Sequence, residues 1–216
     1  MRRFPDLPVY VHERGAGHLA DPAKLLASAE RLYGDEMEAL WGDVLPVPER
    51  NLRPLAGGEI VEGLRVAYTP GHASHHVAFL DQEAGDVFVG DVCGVRISDG
   101  YVVPPTPPPD IDLEAWGHSL DLVSAWQPRR LLLTHFGAVD EPEPHIATLR
   151  DELERLAERA RTLDRATFLA ALEAEIEERA VPGDPDLYRL AVPPLHVWLG
   201  LERYWEKRGV LQPAGS

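Results

Sequence analysis

Cysteine is almost absent from this sequence: Cys93 is the only one in 216 residues. A single thiol cannot close a disulfide within the chain, and it excludes a Cys-rich zinc cluster. Such sparse usage agrees with a reducing compartment. Positive charge is also short. Against 36 Asp and Glu stand 21 Lys and Arg, for a formal net charge of -15. A chain this acidic lacks the basic face that binds phosphate backbones or anionic lipid, so neither nucleic acid nor a membrane surface is expected as a partner. Long hydrophobic runs are missing too. None approaches the roughly 20 residues that cross a bilayer. Arg2 and Arg3 are not followed by the apolar stretch of a signal peptide. The expectation is a cytoplasmic protein with a solvated acidic surface. Its hydrophobic fraction of 44% is enough for one domain, or one domain with an appendage.

Alternation and β-rich composition predict strands at 7–13, 64–69, 76–81, 86–90 and 130–134. The strands 76–81 and 86–90 flank a Gly-bearing turn at 82–85 and read as a hairpin. A hairpin means that the sheet is not purely parallel. Residues 21–34 predict a helix with Asp21 as N-cap, Pro22 at the first helical position and Gly34 as C-cap. Residues 110–126 predict another, capped at Asp110 or Asp112, with Leu113, Trp116, Leu120 and Val123 as its apolar stripe. Between strand and helix, "VVPPTPPPD" is stiff and extended, and is expected to be a rigid surface connection rather than a proline-rich ligand. Beyond residue 140 the pattern turns helical. Ile146, Leu149, Leu153 and Leu156 share one face, as do Phe168, Leu169, Leu172 and Ile176. A last aromatic segment is broken at Pro193-Pro194, and "VLQPAGS" reads as a loose tail.

Three candidate metal ligands share one kind of address. His72 follows the strand 64–69 across the turn Pro70-Gly71, Asp91 follows 86–90, and His135 follows 130–134. Strand ends on one sheet edge converge, so these side chains are expected to meet despite a separation of 63 positions (135 − 72). His and Asp donors suit zinc, and also iron or manganese. Gly71, Gly90 and Gly137 would let backbone crowd close. Each residue alone has a plainer reading, since a His beside a turn is usually at the surface and an Asp after Gly is usually a turn former. Their common placement favours the site.

The remaining candidates read as structural. His76 opens a strand and is expected to pack or to meet a carboxylate behind the ligands, while His75 lies in the turn. His12 and His18 are expected to satisfy backbone rather than line a pocket. Cys93 reads as a small buried thiol, not a nucleophile. "ERGAGHL" has too few glycines in the right order for a phosphate loop. Trp198, Tyr204 and Trp205 could cap the pocket or form a homodimer contact, with core packing as the preferred reading.

The segments "TPGHASHH", "VFVGD" and "LLLTHFG", in this order, resemble the second half of a metallo-β-lactamase-superfamily hydrolase over roughly residues 5 to 140. The resemblance implies an α/β fold, an αββα sandwich with a metal site at one edge of its two sheets. It implies two divalent metal ions, zinc first and iron or manganese as alternatives. His72 would ligate one ion, Asp91 would bridge both and act in catalysis, and His135 would ligate the other. The superfamily's signature H-x-H-x-D-H is absent, and neither His12 nor His18 has its spacing. In relatives that motif precedes a segment like "FPDLPVYVHE". The expectation is therefore a domain that is N-terminally incomplete, with Met1 internal to a longer protein. The competing expectation is a genuine metal-poor remnant. The boundaries expected are a partial metallo-β-lactamase-like domain at 1–140, a C-terminal helical extension at 141–208 and a tail at 209–216.

The activity that this resemblance implies is hydrolysis of a small-molecule ester, thioester or lactone by a metal-bound hydroxide. Acidity makes a nucleic-acid phosphodiester the least favoured substrate. Two alternatives stand beside it: an oxidoreductase with one iron acting on a thiol persulfide, and a non-catalytic binding module.

Overall fold

The apolar stretches of the sequence close into strands and helices in the computed structural model, which describes residues 3–34, 37, 42–135 and 137–210. The chain divides into two compact units, Met1–Glu59 and Ile60–Ser216.

In the first unit, β1 (Val9–His12) and β2 (Leu52–Leu55) pair in parallel, with Val9 opposite Leu52 and His12 opposite Leu55. Between them come α1 (Glu13–Ala20) and α2 (Ala23–Tyr33). Neither β2 nor α1 is legible in the sequence. Pro54 lowers the strand signal of β2, and two glycines lower the helix signal of α1 by about 1 kcal/mol each relative to alanine. His12 is buried and caps α1, its Nδ1 accepting the Arg14 N–H at 3.2 Å. The start of α2 differs by one residue from expectation. Pro22 takes the N-cap position, and Asp21 serves as the C-cap of α1 while its carboxylate accepts the Ala23 N–H at 3.2 Å. One aspartate thus closes one helix and opens the next. Gly34 caps α2 as expected.

In the second unit, six strands lie in sequence order: β3 (Ile60–Val61), β4 (Leu64–Tyr68), β5 (Val77–Asp81), β6 (Asp86–Gly90), β7 (Arg130–Leu133) and β8 (Gly137–Val139). All neighbours are antiparallel except β6 and β7. The hairpin at 82–85 is present. The Gly85 N–H reaches Asp81 O at 2.8 Å, and the Asp81 carboxylate accepts the amides of Glu83 and Ala84. The parallel pair requires a crossover, and the crossover carries α3 (Leu113–Ala125), capped by Asp112 through the Ala115 N–H at 3.0 Å.

Alternation puts Ala78, Leu80, Val87, Val89, Leu131 and Leu133 on the face that joins the main core. Trp116, Leu120 and Val123 of α3 enter that same core. So do residues of α4 (Pro142–Thr162), α5 (Arg165–Arg179), α6 (Pro185–Ala191) and α7 (Pro194–Lys207). Each fully buried Leu, Phe or Ile there contributes about 1.5–3 kcal/mol. Trp198 and Tyr204 are buried in this core, and Trp205 packs against it while donating to Ala157 O at 2.8 Å. Of the tail expected at 209–216, residues 211–216 lie outside the described residues.

The proline-rich stretch is not a surface connection. Residues 102–106 are buried. Val103 exchanges both backbone bonds with Val95, and the Thr106 hydroxyl donates to Val197 O at 3.2 Å. Pro104 and Pro105 lower the cost of that burial, since each brings no N–H and leaves one fewer backbone group to satisfy. Close packing follows, since a Cβ at Gly200 of α7 would stand 1.8 Å from Thr106 O.

Candidate metal centre

The three ligands expected from the sequence lie together at one edge of the six-stranded sheet. Asp91 stands between the two imidazoles. His72 Nε2 is 3.5 Å from Asp91 Oδ2, and His135 Nε2 is 3.3 Å from Asp91 Oδ1. The second contact is ionic in distance but lacks hydrogen-bond geometry, and Asp91 Oδ1 is buried with no hydrogen-bond donor. His75, expected in the turn, is exposed there.

Local structure sets each ligand. His72 follows Gly71, whose φ of +132° puts its missing side chain toward the Trp116 backbone. Ser119 of α3 donates to Pro70 O at 2.6 Å, and the Asp112 N–H donates to Gly71 O at 2.9 Å, so the turn is fastened to the start of α3. His72 Nδ1 donates to Pro105 O at 2.9 Å, which leaves Nε2 with its lone pair toward Asp91. This partner is invisible in the sequence, because a proline carbonyl carries no side-chain signal. Its location also explains the burial of the proline-rich segment beside the site. Trp116 packs edge-on to His72, with ring centroids 5.7 Å apart, and donates from Nε1 to Val92 O at 2.7 Å. His135 follows β7, and its carbonyl accepts the Arg96 N–H at 3.2 Å. Phe136, part of the "LTHFG" stretch, lies outside the described residues. Gly137 differs from the other two glycines: a Cβ there would meet nothing within 4 Å, so its role is the positive φ of 111°.

The electrostatics follow from burial and company. Burial pushes the His72 imidazole below the usual histidine range, against the opposing pull of Asp91. For Asp91, burial raises the carboxyl, but His135 and His72 lower it more, and the net direction is down. Both shifts run toward the deprotonated forms, carboxylate and neutral imidazole, in which such groups bind metals. Cys93 is buried, and its thiol is pushed up to about 12 by burial, so it is no nucleophile.

Two imidazole nitrogens and a buried carboxylate oxygen without a hydrogen-bond donor are a donor set that suits zinc, iron or manganese. Each imidazole meets the carboxylate directly, and the three do not surround a common centre. Among the described residues no group of three or more His, Cys, Asp or Glu side chains is spaced to hold an ion as it stands.

No family model matches the chain. A metallo-β-lactamase fold-containing protein of Sulfurisphaera tokodaii is 32% identical over 137 residues, covering 61% of this chain and 51% of that protein. This chain thus spans about half the length of the curated relative that it matches. The solved structure of that same protein, given there as an archaeal metallo-β-lactamase superfamily protein from Sulfolobus tokodaii, superposes with a TM-score of 0.58 at 28% identity, over 69% of this chain and 57% of the other. A metallo-β-lactamase family protein from Thermus thermophilus has a TM-score of 0.59 at 21% identity, over 96% and 69%, and supports the fold alone. The mixed α/β architecture is therefore the metallo-β-lactamase-like one expected from the sequence. The archaeal relative, in sequence and in solved structure, bears out the resemblance to the metallo-β-lactamase superfamily. No helix among the described residues is long and apolar enough to cross a membrane.

Proposed function

We propose that the protein is a metal-dependent hydrolase of a small-molecule ester, thioester or lactone, with His72, Asp91 and His135 as metal ligands. The observation that carries this reading is the half-buried Asp91 carboxylate flanked at both oxygens by imidazole Nε2 atoms, with Oδ1 buried and lacking a hydrogen-bond donor. A divalent cation there would acidify water and polarise a carbonyl oxygen. The chain's own residues prepare the place. Pro105 O fixes the His72 tautomer by accepting from Nδ1, so that Nε2 is the free donor atom. Trp116 walls the ring on one side. Asp91, held ionised, supplies the negative charge that offsets a cation.

The test is zinc content of the purified full chain, with hydrolysis of p-nitrophenyl acetate, a simple thioester and a γ-lactone assayed alongside. Wild type is expected to hold zinc and to hydrolyse at least one of the three, and Asp91→Ala to lose both. Unchanged turnover in Asp91→Ala would remove the site assignment. A second reading, a non-catalytic binding module, is favoured by the spacing of the three ligands, which do not surround a common centre. Zinc-free wild type with no turnover would select it.

A further inference from the structure

Both ring nitrogens of His76, the last histidine of the "HASHH" cluster, have partners within the protein. Strand β6 sets up the arrangement. Its pairing with β7 runs Phe88 to Leu132 and then Gly90 to Leu133, a register shift that turns the chain end off the ladder. Gly90 has φ +53°, and the Asp91 N–H, released from the sheet, donates to His76 Nε2 at 3.1 Å. An amide can only donate, so Nε2 carries the lone pair and the ring proton sits on Nδ1. Nδ1 then donates to Thr69 Oγ1, 2.7 Å away. Thr69 is itself registered to His76 through its N–H to His76 O at 3.0 Å. The ring also lies hard against Gly90, where a Cβ would be 2.3 Å from Nε2.

We infer that His76 is a positioning residue: through its Nε2 it holds the Asp91 backbone, and so aims the Asp91 carboxylate between His72 and His135. The inference rests, for its consequence in metal binding, on the metal reading of that site. With both nitrogens engaged, His76 is not itself a ligand. The device joins three strand ends, at Thr69, His76 and Asp91, and each contributes a different atom. Any side chain at residue 90 would displace the ring and release Asp91.

The experiment uses the full chain as wild type, His76→Ala and His76→Gln. Zinc affinity is read by competition with a chromophoric chelator, folding by circular dichroism, and the Asp91 amide resonance by NMR of metal-free protein. His76→Ala is expected to stay folded, to bind zinc about 10- to 100-fold more weakly, and to move the Asp91 amide resonance. His76→Gln places Oε1 near the lost acceptor and is expected to restore most of both, which a merely space-filling role would not produce. A folded His76→Ala that binds zinc as wild type does, with an unmoved Asp91 amide, overturns the inference. If wild type binds no zinc, the metal reading fails, and the amide resonance alone decides the positioning. If His76→Ala does not fold, the wild-type ring decides it: nitrogen NMR showing a proton on Nε2 rather than Nδ1 overturns the inference, and the reverse supports it.

Discussion

A Cβ on Gly71 would lie 2.4 Å from both Cα and Cβ of Trp116, so the turn that presents His72 and the first turns of α3 occupy space that a side chain would need. The obstacle is backbone, and it cannot rotate away. Gly71 also has φ +132°, outside the range of ordinary residues. Gly71→Ala is therefore expected to cost about 2–5 kcal/mol, from backbone strain and overpacking together. Urea denaturation of wild type and variant measures it, and a midpoint unchanged within error would refute the close approach.

The buried edge between α4 and α5 is ionic. Glu175 accepts from Arg155, from Arg159 at 2.8 Å and from Arg179 at 2.6 Å, while Glu152 meets Arg155 and Arg179. Both carboxylates are about nine-tenths covered, while the arginine side chains are a quarter to a third exposed. Removing Glu175 takes a partner from three guanidinium groups, of which Arg155 and Arg179 keep Glu152. Glu175→Ala is expected to cost about 2 kcal/mol, below the 3–5 kcal/mol of fully buried pairs because water still reaches the arginines. Glu158→Ala, which breaks the exposed pair with Arg161, serves as the control and should leave the thermal midpoint in place. Equal effects of the two variants would show that the network contributes nothing beyond a surface pair.

His145 supplies a pH dependence. It is buried, its Nε2 donates to Cys93 O at 2.8 Å, and its Nδ1 has no hydrogen-bond partner. Burial pushes its pKa below 6.5, the bond to Cys93 opposes this, and Arg96 adds to it. The unfolded chain therefore takes up a proton near pH 6.5 that the folded chain resists. The stability linked to His145 is full above pH 6.5 and is lost as pH falls below it toward the folded value. In His145→Gln an amide can still donate to Cys93 O, but nothing titrates. Its denaturation midpoint should fall less than that of wild type between neutral and mildly acid pH. Parallel slopes for the two proteins would rule out His145 as a source of the acid lability.

The relation of sequence to structure differs from element to element. The strand ends near His72, Asp91 and His135 are legible because period-two alternation marks strands and each candidate comes within four residues of a strand's end (72 − 68; 91 − 90; 135 − 133). The stripes of α3, α4 and α5 are legible for the matching reason at period 3.6. The helix α1 and the strand β2 are not, since glycine and proline argue locally against states that pairing and packing nonetheless hold. The burial of 102–106 runs against the sequence expectation because stiffness says nothing about where a segment runs.

The sequence by itself determined the strand and helix periods, the absence of a disulfide and the identity of the three candidate ligands, all of them local patterns or counts. Only the tertiary structure decided what holds those ligands. The Pro105 carbonyl on His72, the Trp116 backbone against Gly71 and the His76 ring under the Asp91 amide join residues 15 to 45 positions apart (91 − 76; 116 − 71). All three act through backbone atoms on at least one side, which every residue carries alike. Contacts of that kind leave no mark in the order of side chains and exist only once the chain has folded back on itself.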